Sequence, residues 1–189
     1  MATETSVHGA PYAEIDLAPA AVEMERLPGG GWRLWNPNSL QPYHDHLITW
    51  LRRWATEAPD RVFLAQRYSD GSGDWRKLTY SDAARLSANI AQALTDHGHG
   101  PDRPIAILSD NSIGFGLVQL GAMHVGIPVL PVSSAYSLMS KDHEKLRGVI
   151  AHHDRSVIYV DDAAPFSHAL AALRGTKFEL VTGISTEGA

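Results

Sequence analysis

Two spacings of apolar residues alternate along the chain from Leu78 onward. Short uncharged runs at 105–108, 129–132 and 157–160 have the length of buried strands, and 178–181 supplies a fourth run, interrupted by Glu179. Between them, apolar residues recur three or four apart, as on one face of a helix. Those stripes are Ala83, Leu86, Ile90 and Leu94, then Ile113, Leu117, Leu120 and Met123 or His124. Leu146, Val149 and Ile150 follow, then Phe166, Leu170 and Leu173. Gly98, Gly126 and Gly175 stand where such helices would stop. Four helices alternating with four strands predict a doubly wound, mostly parallel α/β sheet. No charged residue lies between Asp110 and Lys141. Gln119, His124, Pro128, Pro131 and the glycines there argue against a membrane span, and a strand–helix–strand unit covered on both faces accounts for the stretch.

Helix starts are also written in the chain. Thr79 and Asp82 form a short capping box, and Asp110 or Asn111 is placed to cap the helix over Ile113. Asp161-Asp162 is expected to cap the last helix, with Pro165 in its first turn. Gly114, Gly116 and Gly121 are expected to let their helix lie close to the sheet.

Upstream, Leu47, Trp50, Leu51 and Trp54 mark an amphipathic helix ending at Ala58-Pro59. Two strands, 62–68 and 75–78, flank Ser69-Asp70-Gly71-Ser72-Gly73-Asp74 and predict a β-hairpin. That turn is no phosphate cradle, because it carries two aspartates and leads into a strand. Residues 1–46 are punctuated by prolines and glycines and read as an irregular arm. Within the arm, Trp32, Leu34 and Trp35 suggest a short strand anchored on a neighbouring body.

Composition narrows the chemistry. A net charge of −5 opposes a broad nucleic-acid surface, and the absence of cysteine excludes disulfides, zinc–thiolate sites and thiol nucleophiles. The first residues lack the basic start and apolar run of a signal peptide, so the expected compartment is the cytoplasm. Gly114-Phe115-Gly116 is no dinucleotide fingerprint: Gln119 stands where the third glycine belongs, and Ser133-Ser134 supplies no carboxylate for a ribose. His97 and His99 resemble a metal pair, but their place at a helix C-terminus favours a dipole role. His44/His46 and His152/His153 also fall at helix ends or loops. Asp161-Asp162 could bind a metal or a ribose, although capping is the simpler role. No catalytic, cofactor-binding or metal-ligating residue is assigned.

Residues already described carry a family resemblance. Trp75-Arg76-Lys77-Leu78-Thr79-Tyr80-Ser81-Asp82 resembles the early Leu-Thr-Tyr-x-Glu-Leu motif of adenylate-forming enzymes, the acyl-CoA synthetases and their relatives. The segment from Arg103 to Ser112 is similar to their next strand and helix start, and Gly121 to Pro128 to their Gly-Ala-x-x-x-Gly-x-x-x-x-Pro region. Within that superfamily, Pro131 to Leu138, Lys145-Leu146-Arg147 and Ala58 to Ala65 most resemble feruloyl-CoA synthetases. Asp82 replaces the usual Glu and Ser134 a common Pro.

The resemblance implies an ATP-dependent acid–CoA ligase, using Mg²⁺ and coenzyme A on an aromatic or other carboxylic acid. It also implies that residues 47–189 are the first part of a large N-terminal domain. The family's phosphate loop, adenine motif, ribose-binding Asp and catalytic Lys match nothing here, so no site residue is carried over. The expectation is an incomplete doubly wound sheet, preceded by a β-hairpin and an irregular N-terminal arm, and inactive alone. An uncovered sheet edge could mediate association. The alternative is a non-catalytic α/β module that binds or pairs with another chain.

Overall fold

A computed structural model describes residues 21–68, 71–153 and 157–183, and the chain divides into two units, Met1–Tyr43 and His44–Ala189. In the first unit, β1 (Glu23–Arg26) pairs antiparallel with β2 (Trp32–Trp35). Gly30 takes a positive φ of 85° in the turn between them. The expected strand at Trp32 is therefore present, but its partner is β1. Trp32 and Trp35 keep 58% and 40% of their surface exposed.

The second unit opens with α1 (Leu47–Glu57), whose Ile48 and Leu51 are buried. Then β3 (Val62–Arg67) and β4 (Trp75–Thr79) form the expected hairpin. Gly71 and Gly73 take the positive φ values its turn requires, while Ser69 and Asp70 lie outside the described residues. Thr79 caps α2 (Tyr80–Asp96), its hydroxyl oxygen accepting from the Asp82 amide at 3.2 Å. That hydroxyl donates to the Asp82 carboxylate at 3.0 Å, so the box closes side chain to side chain.

Next come β5 (Ile105–Ile107), α3 (Ile113–His124) and β6 (Val129–Pro131). A short helix that the pattern did not predict, α4 (Ala135–Leu138), precedes α5 (Glu144–Ala151). The chain continues through β7 (Val157–Val160), α6 (Ser167–Ala172) and β8 (Glu179–Thr182). The last four strands form one parallel sheet in the order β6-β5-β7-β8.

Alternation along β5 and β7 explains why both are uncharged. Ala106, Leu108, Ile158 and Val160 pack with Leu146 and Ile150 of α5 and Ala169 and Leu173 beside α6. Ile105, Ile107, Val157 and Tyr159 project the other way, onto Val118 and Ala122 of α3. The opposite side of α3, at Ile113 and Leu117, packs with Ile48, Leu51, Leu78 and Ala83. Hence α3 lies between the sheet and the α1–α2–hairpin layer, and its lack of charge marks a helix buried on two sides. No helix among the described residues is long and apolar enough to cross a membrane.

Two expectations about helix ends are corrected. Ser112 caps α3, accepting from the Phe115 amide at 2.9 Å; Asp110 and Asn111 stand too early to be the residue next to the first turn. At α6, Phe166 is the capping position and makes no side-chain cap. Residues 163–166 turn before the helix starts, so Pro165 precedes it and Asp161-Asp162 cannot reach its amides.

The glycines of α3 serve three neighbours, not the sheet alone. A Cβ at Gly121 would stand 2.5 Å from Ile90 Cγ2 of α2, and one at Gly116 would stand 3.0 Å from Leu64 Cδ1 of β3. Only at Gly114 would it meet sheet groups, the Tyr159 hydroxyl and the Asp161 carboxylate.

Candidate functional site

The sheet order creates one topological switch point. From β5 the chain leaves toward β6, whereas from β7 it leaves toward β8 on the opposite side. In open α/β sheets the carboxyl ends of two such diverging strands border the crevice where ligands bind. Here the crevice is bordered by residues 108–112 after β5 and by Asp161-Asp162 after β7.

A polar clamp closes the base of this crevice. The Leu108 amide donates to the Tyr159 carbonyl at 2.9 Å, extending the β5–β7 pairing by one residue. Beyond it, the Asp161 amide donates to Ser109 Oγ at 2.6 Å, and the Tyr159 hydroxyl donates to Asp161 Oδ1. Tyr159 is fully buried and Ser109 is 6% exposed, so these groups need each other in place of water. Gly114 makes the arrangement possible, since a side chain there would displace both the hydroxyl and the carboxylate.

A cleft of about 330 Å³ borders the start of α3. Leu64 to Arg67 and Trp75 of the hairpin form one wall, and Asn111 to Ile113 the other. Gln66 crosses between them, its Oε1 accepting from the Ile113 amide at 2.9 Å. The Arg67 guanidinium sits 4.9 Å from the Trp75 ring centroid, a cation–π arrangement that holds a positive group at the rim. Polar recognition of a small ligand is within reach of this set. A metal site is not apparent: among the described residues no three His, Cys, Asp or Glu cluster to hold an ion.

The residues weighed from sequence fall as follows. Asp161 belongs to the clamp, and Asp162 Oδ1 accepts from the Ala164 amide at 2.9 Å in a local turn. His97 and His99 stack with centroids 6.4 Å apart. The His97 Nδ1 lies 2.8 Å from the Ala93 carbonyl at the end of α2, and the buried His99 faces Glu179 of β8 at 3.5 Å. Ser109, Tyr159 and Gln66 were not singled out from sequence. Ser109 directly follows a predicted strand, but nothing in the chain's order says that β7 pairs beside β5.

Known proteins bear on this fold. A family model described as "AMP-binding enzyme" matches residues 51–187. Among curated relatives, the nonribosomal peptide synthetase ecdA of Aspergillus rugulosus is 33% identical over 86 residues, 45% of this chain and 1% of the relative. Luciferin 4-monooxygenase of Photinus pyralis is 30% identical over 60 residues, 32% of this chain and 11% of the relative. Among solved structures, a fatty acid AMP ligase from Legionella pneumophila superposes with a TM-score of 0.58 at 14% identity, covering 72% of this chain and 23% of that one. A Mycobacterium tuberculosis fatty acyl CoA synthetase gives 0.55 at 24% identity, covering 72% and 26%. These structural matches establish a shared fold, and the chain spans only a minor part of each relative.

Proposed function

Since the chain belongs to the AMP-binding enzyme family, we propose that residues 47–189 form the opening part of the large N-terminal domain of an adenylate-forming ligase, with 1–46 as a lead-in arm. The observation carrying this reading is the family match over residues 51–187, supported by the two-sided parallel sheet. The reaction condenses a carboxylic acid with ATP, releasing pyrophosphate and leaving an acyl-adenylate. The thiol of coenzyme A then takes the acyl group and AMP departs. We assign an aryl acid of the feruloyl type as substrate, on the resemblance of Pro131 to Leu138 and Lys145-Leu146-Arg147. The cytoplasm is the proposed compartment.

This chain's share of the work is architectural. When bound, Mg²⁺ would spread the triphosphate charge. The residues at the switch point do not fit that ion by themselves: Asp161 Oδ1 is engaged by the Tyr159 hydroxyl and Asp162 Oδ1 by the Ala164 amide, and among the described residues no three His, Cys, Asp or Glu cluster there. The clamp instead fixes the β5 and β7 ends, and with them the start of α3, against which further chain can be ordered. Purified residues 1–189 should therefore show no exchange of labelled pyrophosphate into ATP with ferulic or fatty acids, with or without coenzyme A. Exchange above a heat-killed control would overturn the architectural reading.

A second reading, a pairing module, draws on β8. All four of its residues are exposed at the sheet's edge, and another chain could add a strand there.

A further inference from the structure

One histidine ties three helices together. His124, in the last turn of α3, places Nε2 3.2 Å from the hydroxyl of Ser87 on α2. Its Nδ1 lies 3.4 Å from the Arg52 guanidinium of α1. Ser87 is fully buried, and its hydroxyl also reaches the Ala84 carbonyl at 3.2 Å.

The donor inventory fixes the direction of this chain. A guanidinium can only donate, so Nδ1 must be the acceptor and the ring proton sits on Nε2. Nε2–H then donates to Ser87 Oγ, which spends its own proton on the Ala84 carbonyl. Every group is satisfied only while the ring is neutral. Protonation turns Nδ1 into a second donor facing a guanidinium, which removes one hydrogen bond and sets two cations side by side.

We propose that Arg52, His124 and Ser87 form a proton-operated latch that holds α1 against the α2–α3 pair and loosens as the ring takes up a proton. Other groups also face the ring's surroundings. His46, at the start of α1, shares with Arg52 and His124 a pocket of about 190 Å³. It adds a further positive charge when protonated. Asp45 lines the neighbouring hollow and brings a carboxylate to that side. From α2 the Ser87 hydroxyl meets the ring. Burial first, and Arg52 second, hold the His124 pKa below the ordinary 6.5. The sign follows: with α1 docked the ring binds protons less readily than when released. The latch is at full strength above pH 6.5 and is lost as pH falls toward the ring's lower docked value.

The test follows the imidazole nitrogens of the 189-residue chain by NMR together with hydrogen exchange, corrected for intrinsic rates. The ring should carry its proton on Nε2 and titrate below 6.5. Protection of the α1 amides should fall by up to about tenfold per pH unit below that value, the limit for one linked proton, and then level off. Amides of α5 serve as the internal control and should not follow this titration. His124→Gln can accept from Arg52 and donate to Ser87 without titrating, so it should remove the pH response of α1. Arg52→Gln should move the ring's titration back toward 6.5. A proton on Nδ1, titration at or above 6.5 in the unmodified chain, or an undiminished pH response in His124→Gln would each overturn the latch.

Discussion

Replacing Gly121 by alanine sets two effects of known size against each other. In an open helix interior the change stabilises by about 1 kcal/mol, because glycine is the poorer helix former. Here the new Cβ would stand 2.5 Å from Ile90 Cγ2, 2.8 Å from Ile90 Cβ and 3.2 Å from the Ser87 carbonyl oxygen. None of these can move aside cheaply. Ile90 is β-branched and nearly fixed at χ1 in a helix, and Ser87 contributes backbone. Relief requires α2 and α3 to separate by roughly 1 Å along their contact, and overpacking of this kind costs about 1–3 kcal/mol. With both carbons of one branched side chain overlapped, the upper half of that range applies, leaving a net loss of about 1–2 kcal/mol after the propensity gain. The assay is the urea midpoint at constant slope. Ile90→Ala removes the obstructing methyl, so the double variant should show a favourable coupling of at least about 1 kcal/mol in a double-mutant cycle. A Gly121→Ala chain as stable as the parent, or a cycle without coupling, would refute the close approach of the two helices.

Ser112→Ala should cost about 1 kcal/mol by chemical denaturation, whereas Asn111→Ala should change little, because only Ser112 caps α3. Tyr159→Phe should lose about 1.5–3 kcal/mol, as expected for a hydrogen bond to a carboxylate, and Gly114→Ala should also destabilise by displacing both partners; an unchanged midpoint for either contradicts the clamp. The Asp142 carboxyl is held below its ordinary 3.8 by the Glu144 amide and then the Ser140 hydroxyl. Its stabilising effect is complete above 3.8 and fades as pH drops through the lower folded value, so carboxyl NMR should find it titrating early and Asp142→Asn should flatten that part of the acid profile.

Legibility in the sequence followed the range of the interactions. Periodicity located the parallel strands and their long helices because burial on a defined face leaves a local trace, as at Ile113 and Leu117. The hairpin was visible in the Gly/Ser/Asp turn between two aromatic-rich runs. Caps are less legible: Thr79 stands out because its partner Asp82 lies three residues away, whereas the cap expected at Asp110 or Asn111 falls to Ser112, because backbone geometry decides the position. The short helix at Ala135–Leu138 offers too few turns for a period to show. Gly121 was expected against the sheet and in fact faces Ile90, because a glycine shows that something is close without saying what. The clamp of Ser109, Tyr159 and Asp161 depends on β7 lying beside β5, a long-range fact with no local signature. The latch joins residues 37 and 72 positions apart and was out of reach for the same reason.

The central claim, that this chain is a structural layer of an adenylate-forming ligase, is tested most directly by complementation. Residues 1–189 would be mixed with the part of such a ligase that follows this segment, and aryl-acid-dependent exchange of labelled pyrophosphate into ATP measured for each chain and for the mixture. The account predicts exchange only in the mixture, coincident with a stoichiometric complex. Exchange by residues 1–189 alone, or a compact complex that exchanges nothing, would contradict it.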